Sequence, residues 1–176
     1  MKILDVPEET WQLRSGLNVY LRPLQSTDLA LHWGLFYRCS RQSLFQRFFQ
    51  LPDCQKITDA DVERFTNFDR SRELAITAVQ YPSQVEELGV VRLAHLGGGS
   101  AEFALIVADP WHRQGLGRKL LEKAIEVARF QGLQSLEGYV LSSNQPMLKL
   151  CRRLGFEVSY ADGFYEVQLA LNGSAN

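Results

Sequence analysis

The chain has 176 residues, of which 45% are apolar and 22% are charged, and these values fit one globular domain with a sizeable core. A formal net charge of −1 excludes the strong basic field that general nucleic-acid binding needs, and it gives no polybasic membrane anchor. The cysteines Cys39, Cys54 and Cys151 show neither metal-ligand spacing nor a paired disulfide framework, so reduced thiols are expected.

Targeting signals are absent from the sequence. The N-terminus lacks the apolar core and cleavage site of a secretory signal, and no stretch approaches the roughly 18 apolar residues of a membrane-spanning helix. We therefore expect a cytoplasmic protein with no membrane or nucleic-acid partner, either a monomer or a homodimer. Residues 1–17 are interpreted as a loosely held N-terminal extension, residues 18–171 as one domain and residues 172–176 as a tail.

The first part of the domain predicts one strand and three helices. Residues 18–24 alternate and carry β-formers, which indicates a strand. A helix start signal at residues 26–28 then precedes apolar residues at helical spacing. A second amphipathic helix, rich in aromatic residues, is predicted over residues 40–50. A third is capped by Thr58 or Asp59.

The second part predicts strands before and after a long helix. Apolar runs at residues 73–81, 87–96 and 101–108 indicate three strands, and a glycine-rich connection joins the last two as a hairpin. The third run is apolar at nearly every position, which favours a central strand covered on both faces.

A helix from about Gly115 to Gln131 follows, then a strand, a helix and a closing hairpin about residues 161–163. The order β-α-α-α-β-β-β-α-β-α-β-β indicates a mixed α/β domain of the α+β kind, neither doubly wound nor a barrel.

The handover from the third apolar run to the long helix reads "VADPWHRQGLGR". A helix N-terminus leaves backbone N–H groups without partners and carries partial positive charge, so it binds phosphate where no side chain blocks the approach. Gly115 and Gly117 clear such an approach, while Arg113, Arg118 and Lys119 add positive charge. Because the third glycine of a dinucleotide fingerprint is missing, this spacing alone is a weak signal.

This segment resembles the acetyl-CoA motif of the GNAT superfamily of N-acetyltransferases, in which Gln/Arg-x-x-Gly-x-Gly/Ala opens a helix that cradles a diphosphate. His112, Gly115 and Gly117 stand at the motif positions, and His112 departs from the usual Gln or Arg. The resemblance implies a mixed, mostly antiparallel sheet of six to seven strands flanked by helices. It also implies a set of acetyl-CoA-binding residues: Leu105, Ile106, Val107, His112, Arg113, Gln114, Gly115, Leu116, Gly117 and Arg118.

A second block, "NQPMLKLCRRLGF", resembles the family's Asn-x-x-Ala-x-x-Leu-Tyr-x-x-x-Gly-Phe segment. Asn144 matches the residue whose side chain touches the pantetheine or orients the acyl group. The usual tyrosine is replaced by Cys151. Two blocks in the right order and separation imply an N-acetyltransferase that moves an acetyl group directly from acetyl-CoA to an amine.

Such a transfer needs a base, because most alkylamines are protonated at pH 7. Glu102 is the candidate: strand alternation places it on one otherwise apolar face with Ala104 and Ile106. The alternative is that Glu102 lies at the exposed start of its strand. Cys151 is a candidate general acid, although a cysteine on an inner helix face is more often core filling. Tyr139 and Tyr165 are possible substitutes.

The acceptor stays open at this level. "AEFALIV" and "RQSLFQRFF" resemble bacterial protein-lysine acetyltransferases, which implies a protein lysine. A small amine, an amino acid or a polyamine is the alternative, and an acidic run could form the pocket for a polyamine: Asp53, Asp59, Asp61, Glu63, Asp69 and Glu73. A different class is a CoA-binding sensor without turnover. The three histidines form no ligand cluster, so no metal is expected.

Overall fold

The computed structural model describes residues 8–51, 56–83 and 85–171 of the chain. The strands are β1 (Glu9–Gln12), β2 (Asn18–Pro23), β3 (Glu73–Gln80), β4 (Glu87–Gly97), β5 (Ser100–Val107), β6 (Ser135–Leu141), β7 (Glu157–Ala161) and β8 (Phe164–Ala170). The α-helices are α1 (Leu29–Tyr37), α2 (Arg41–Phe48), α3 (Asp59–Thr66), α4 (Leu116–Phe130) and α5 (Gln145–Arg153). Short 3-10 turns lie at Ser26–Asp28 and Asp109–Trp111.

The strands form one sheet in the order β1-β2-β3-β4-β5-β6-β8-β7. Every neighbouring pair is antiparallel except β5 and β6, which run parallel. The predicted mixed, mostly antiparallel sheet flanked by helices is confirmed. The sheet has eight strands rather than the six to seven expected.

The additional strand is β1, which lies within the segment interpreted from sequence as a loosely held extension. It pairs with β2, and Glu9 forms ion pairs with Lys119 and Lys123 of α4. The ring of Trp11 lies beside Gly115 at the start of the same helix, where an added Cβ would stand 3.2 Å from it. A four-residue strand gives little sequence periodicity, and its ion-pair partners on α4 lie more than 100 residues away, so local patterning missed it.

Local capping explains where two of the front helices begin. Ser40 caps α2 by accepting a hydrogen bond from the N–H of Ser43. Thr58 caps α3, and the Asp61 side chain reaches back to the N–H of Thr58, which completes a capping box. The sequence alternative with Thr58 as cap is therefore the one observed. Such caps contribute about 1 kcal/mol each.

Two groups of buried side chains lie on opposite faces of the sheet. The larger one packs α4 and α5 against the strands, and it includes the fully buried Leu116, Leu120 and Leu121 of the predicted α4 stripe. Burying each such leucine stabilises the fold by about 1.5–3 kcal/mol relative to exposure. The smaller group includes Leu35 and Leu44 from the front helices α1 and α2.

Strand β5 takes part in both groups. Ala101 and Phe103 belong to the larger one, whereas Ile106 belongs to the smaller one. Glu102 and Ala104 share a face with Ile106 but are only half-buried. The expected cover on both faces is therefore incomplete, because a cavity opens beside residues 102–105 in the middle of β5.

Candidate active site

The sheet opens between the parallel strands β5 and β6. Their pairing runs from Ser100↔Ser135 to Glu102↔Glu137 and goes no further. A cavity of about 500 Å³ lies beside this splay. It is lined by residues from α2, β5, β6, the start of α5 and β8: Gln46, Arg47, Phe48, Phe49, Glu102, Phe103, Ala104, Leu105, Tyr139, Val140, Asn144, Met147 and Phe164.

The backbone of β5 presents a free edge to this splay. Ala108 N–H donates to Leu88 O at 2.9 Å, on the β4 side. Since backbone groups of a strand alternate between its two neighbours, the N–H and C=O of Ile106 also face β4, and those of Leu105 and Val107 face the splay. Of the three strand residues expected to pair with the cofactor, Leu105 and Val107 are thus oriented for it, and Ile106 is not.

The loop before α4 turns its backbone sharply. Arg113 and Gly115 both adopt left-handed conformations, with φ of 59° and 92°. Successive N–H groups in such a turn form a concave anion-binding nest. Helix α4 begins at Leu116, and no side chain caps it. Its first N–H groups are therefore available to a ligand, as the sequence predicted for a phosphate site.

The two glycines of this loop have different roles. A Cβ on Gly115 would lie 3.2 Å from the Trp11 ring, in a backbone conformation that side chains rarely adopt. A Cβ on Gly117 would make ordinary contacts with Leu105 at 3.7 Å and Val107 at 3.8 Å. The turn itself therefore requires Gly115, while the protein has room for alanine at position 117.

The remaining loop side chains are partly committed to the protein. His112 Nε2 lies 2.8 Å from Val107 O, and since a carbonyl only accepts, this nitrogen carries the proton. The Gln114 amide donates to Pro110 O at 3.4 Å, and the Leu116 side chain lies in the core. These residues offer the cofactor backbone groups more than side chains.

Positive charge around the loop is smaller than the sequence suggested. Lys119 forms an ion pair with Glu9 of β1, and Arg118 pairs with Glu122 at 2.8 Å on the exposed surface of α4. Arg113 is exposed. Arg113 and Arg118 are thus the loop cations able to swing toward a diphosphate, and Lys119 is held by the N-terminal strand.

Glu102 lies in the cavity wall on β5. Its side chain is half-buried, on the face shared with Ala104 and Ile106. Within the described ranges, no hydrogen bond engages its carboxylate. A carboxylate left free in a cavity can accept a proton from a bound molecule, which is what the sequence hypothesis requires of a base.

Cys151 occupies a different environment. Its side chain is fully buried on the inner face of α5 in the larger core, and it does not line the cavity. Burial raises the pKa of this thiol to about 12. The hypothesis that Cys151 acts as general acid is corrected here, because a proton donor must reach the reacting atoms.

Unlike Cys151, Tyr139 lines the cavity. Tyr139 projects from β6 into the cavity wall and is partly exposed, with its ring 5.5 Å from that of Phe164. Tyr165, the other substitute, instead packs against Tyr160 at 5.3 Å on the outer hairpin. Strand alternation within "SLEGYVL" was the signal that could have singled out Tyr139.

Asn144 lines the cavity where α5 begins. Its Oδ1 accepts a hydrogen bond from the N–H of Met147 at 3.3 Å, so the residue caps the helix. This leaves its amide N–H groups for the cavity. Phe164 and Met147 also contribute to the wall, and sequence reasoning missed both because only the folded sheet brings β8 beside α5.

The acidic run proposed as a polyamine pocket is dispersed. Asp59 accepts from Trp33 Nε1 at 2.8 Å, Asp61 caps α3, and Glu73 pairs with Arg92 at 3.0 Å. Asp69 accepts from Ser71, Glu63 is exposed, and neither lines the cavity. Asp53, like Cys54, lies outside the described residues.

In the part of the chain that the structure describes, no group of three or more His, Cys, Asp or Glu side chains is arranged to hold a metal ion. Likewise, none of the helices in these ranges is long and apolar enough to cross a membrane.

Comparison with known proteins assigns this architecture to acetyltransferases. The model of the acetyltransferase (GNAT) domain family matches residues 18–157, which is most of the chain. The protein belongs to the GNAT acetyltransferase family, in which acetyl-CoA is the usual co-substrate.

Individual relatives agree with this assignment. Acetyltransferase Pat of Mycolicibacterium smegmatis is 28% identical over 146 residues, which cover 82% of this chain and 43% of the relative. L-methionine sulfoximine/L-methionine sulfone acetyltransferase of Pseudomonas aeruginosa is 43% identical over 61 residues, which cover 35% of this chain and 36% of the relative. The matched regions thus span less than half of each relative.

Among solved structures, the GNAT domain of S. lividans PAT superposes with a TM-score of 0.82 at 26% identity. The superposition covers 93% of this chain and 96% of that domain.

Proposed function

We propose that the protein is an acetyl-CoA-dependent N-acetyltransferase that transfers the acetyl group directly to an amine within a ternary complex. One observation carries this proposal: the free edge of β5 leads from the uncapped N-terminus of α4 to a cavity that contains Glu102. One continuous path therefore offers backbone N–H groups for a diphosphate, a strand edge for a pantetheine arm, and a carboxylate that can act as the base.

The chain fits acetyl-CoA by its own geometry. The N–H groups of residues 113–118 form the cradle for the diphosphate, with Arg113 and Arg118 beside it. The N–H and C=O of Leu105 and Val107 pair with the amides of the pantetheine arm as an added strand would. For its C=O to do so, Val107 exchanges the bond that it accepts from His112. Asn144 offers its amide from the opposite wall.

Bound acetyl-CoA supplies an activated thioester, at which the amine nitrogen forms a C–N bond as the C–S bond breaks. Glu102 accepts the proton that the amine must lose, directly or through water. The N–H groups of β5 that face the splay stabilise charge on the thioester oxygen. The phenol of Tyr139 is the donor that returns a proton to the departing sulfur.

A cytoplasmic location, expected from the sequence, stays a prediction.

The acceptor class has two supported directions. The resemblance of the β5 and α2 segments to protein-lysine acetyltransferases favours a lysine side chain. The Pseudomonas relative is named for small amino-acid analogues, which favours a free amine. Both keep the same base and the same cofactor path.

The test of the proposed function is Glu102→Gln. We expect kcat to fall roughly 100- to 10,000-fold, the range for loss of a positioned base, while acetyl-CoA still raises the melting temperature of the variant. The measurements are thiol release from acetyl-CoA in the presence of amines and thermal melts with the cofactor. Gln46→Ala, a neutral change in the same cavity, is the control for pocket shape.

Unchanged thiol release in Glu102→Gln would remove the base assignment. Binding of acetyl-CoA with no acetylation of any amine would instead favour the alternative of a CoA-binding sensor. If acetyl-CoA at millimolar concentration does not shift the melting temperature of the wild-type protein, the entire proposal is wrong.

A further inference from the structure

A second charged side chain lines the cavity that contains Glu102. Arg47, near the end of α2, lines the same wall as Phe48 and Phe49, and its guanidinium carbon lies 4.9 Å from the centre of the Phe48 ring. Phe49 ends the helix with φ of 60°, in the left-handed region.

The guanidinium of Arg47 has no ionic partner among the residues that the structure describes. Arg92 of β4 makes a useful contrast, since it pairs with Glu73 at 3.0 Å and donates to the carbonyl of Phe65. Burial, with the added positive charge of Arg92, lowers the pKa of Arg47 to about 10, and the charge of Glu102 opposes this only in part. Arg47 therefore stays protonated at neutral pH.

Arg47 is half-buried in the cavity wall, and a charge that is partly removed from water without a partner lowers the stability of a fold. Guanidinium groups placed in this way match carboxylates through two parallel hydrogen bonds. Among the described residues, only two charged side chains line the cavity, Arg47 and Glu102. The cavity therefore has room for such an anion beside Arg47.

The charged side chains that line the cavity also argue against a polycationic acceptor. A polyamine needs several carboxylates around its ammonium groups, whereas Glu102 is the only carboxylate among the described residues that line the cavity. Arg47 would repel a second ammonium group inside the cavity. One carboxylate and one guanidinium instead complement a zwitterion.

We propose that the acceptor is a free amino acid, with its amine directed to Glu102 and its carboxylate bound by Arg47. The rest of the wall, with Phe49, Met147 and Phe164, then accommodates an uncharged side chain. This inference rests on the proposed function and specifies its substrate class. Arg47 is thus a specificity-determining residue.

The experiment compares acceptors that differ only in the carboxylate. A panel of uncharged α-amino acids is assayed beside the corresponding amino-acid amides, a lysine peptide and spermidine, by thiol release from acetyl-CoA. We expect kcat/KM for the acids to exceed that for the amides about 10- to 100-fold, as for loss of a charge-assisted hydrogen bond.

Variants test whether Arg47 causes the preference for acids over amides. Arg47→Gln is expected to abolish the difference between acids and amides, mainly through KM, and Arg47→Lys to restore part of it. Arg41→Gln removes an exposed charge from the first turn of the same helix and is expected to keep the preference intact. The melting shift caused by acetyl-CoA, measured for every variant, shows that each one is folded and binds the cofactor.

Equal rates for acids and amides, or a preference for the lysine peptide or spermidine, would overturn the inference and leave the proposed function standing. A preference for acids that survives in Arg47→Gln would also overturn it. Failure of every amine tested, with acetyl-CoA bound, would overturn the inference and the proposed function together.

Discussion

Glu102 and Cys151 show how surroundings decide what a reactive side chain can do. Both stand at positions that a sequence pattern connects with acid–base chemistry. Glu102 lies in a cavity wall, where a bound amine can reach it, whereas Cys151 is fully enclosed by apolar side chains of α5 and the sheet. The thiol therefore fills space, and the partly exposed phenol of Tyr139 is left as the candidate proton donor.

At the residue scale, Tyr139→Phe tests this donor. We expect kcat to fall roughly 10- to 100-fold with KM for acetyl-CoA nearly unchanged, at the low end for a general acid, because a thiolate is already a good leaving group. Steady-state rates across pH 6–9 measure the effect. Tyr37→Phe, on an exposed ring at the end of α1, is the matched control. A drop in affinity without a drop in kcat would make Tyr139 a binding residue.

At the scale of elements, the loop before α4 combines three properties. Its backbone turns through left-handed positions at Arg113 and Gly115, its helix begins without a side-chain cap, and the free edge of β5 runs up to it. Each property leaves hydrogen-bond donors unpaired. Together they explain why a segment with two glycines stands between a strand and a helix.

The two glycines are expected to respond differently to alanine. Gly115→Ala introduces strain and a contact with Trp11, so we expect a loss of stability of about 1–3 kcal/mol. Gly117→Ala lies in the first turn of α4 with ordinary contacts only, and alanine favours helix, so its melting temperature should be equal or higher.

Thermal melts with and without acetyl-CoA measure both changes. We expect the Gly117→Ala protein to retain the cofactor-induced shift, because backbone amides are the proposed ligands. Equal destabilisation by both substitutions would show that the turn geometry is not what requires Gly115.

At the scale of the whole molecule, the N-terminal strand connects the edge of the sheet to the helix that carries the loop. Burial alone would raise the pKa of the Glu9 carboxyl, but hydrogen bonds and charges from Lys119 and Lys123 outweigh it and hold that pKa below its usual value of 4.5. A lowered pKa in the folded state means that this carboxylate stabilises the fold while ionised.

Glu9→Gln is therefore expected to lower the free energy of unfolding at pH 7 by about 0.5–1 kcal/mol, the range for a partly exposed ion pair. Since the folded-state pKa is the lower one, the difference is present in full above pH 4.5 and disappears as the pH falls below that value. Denaturant unfolding of both proteins between pH 3.5 and 7 measures it. Glu157→Gln, on the exposed edge strand β7, is the control. A difference in the free energy of unfolding between the wild-type protein and Glu9→Gln that stays constant with pH would contradict the prediction.

Much of the fold was predictable from the sequence because its signals are local. The apolar stripe of α4, the cap at Thr58 and the glycine turns set the order of elements correctly. Strand β1 was not predicted because its four residues give little periodicity and the ion-pair partners of Glu9, Lys119 and Lys123, are distant in sequence. The division of residues 1–17 and 172–176 from the domain stays a prediction, and residues 1–7 and 172–176 lie outside the described part of the chain.

The sequence by itself determined the glycine loop and the spacing of its two blocks, since both depend on which residues stand next to one another. Only the tertiary structure decided which side chains line the cavity. The walls bring α2, β5, β6 and β8 together, so Arg47 lines the same cavity as Glu102, and the ring of Tyr139 packs against that of Phe164. Cys151, in contrast, is enclosed in the core. Burial and proximity of this kind arise from packing between distant segments, which no local pattern encodes.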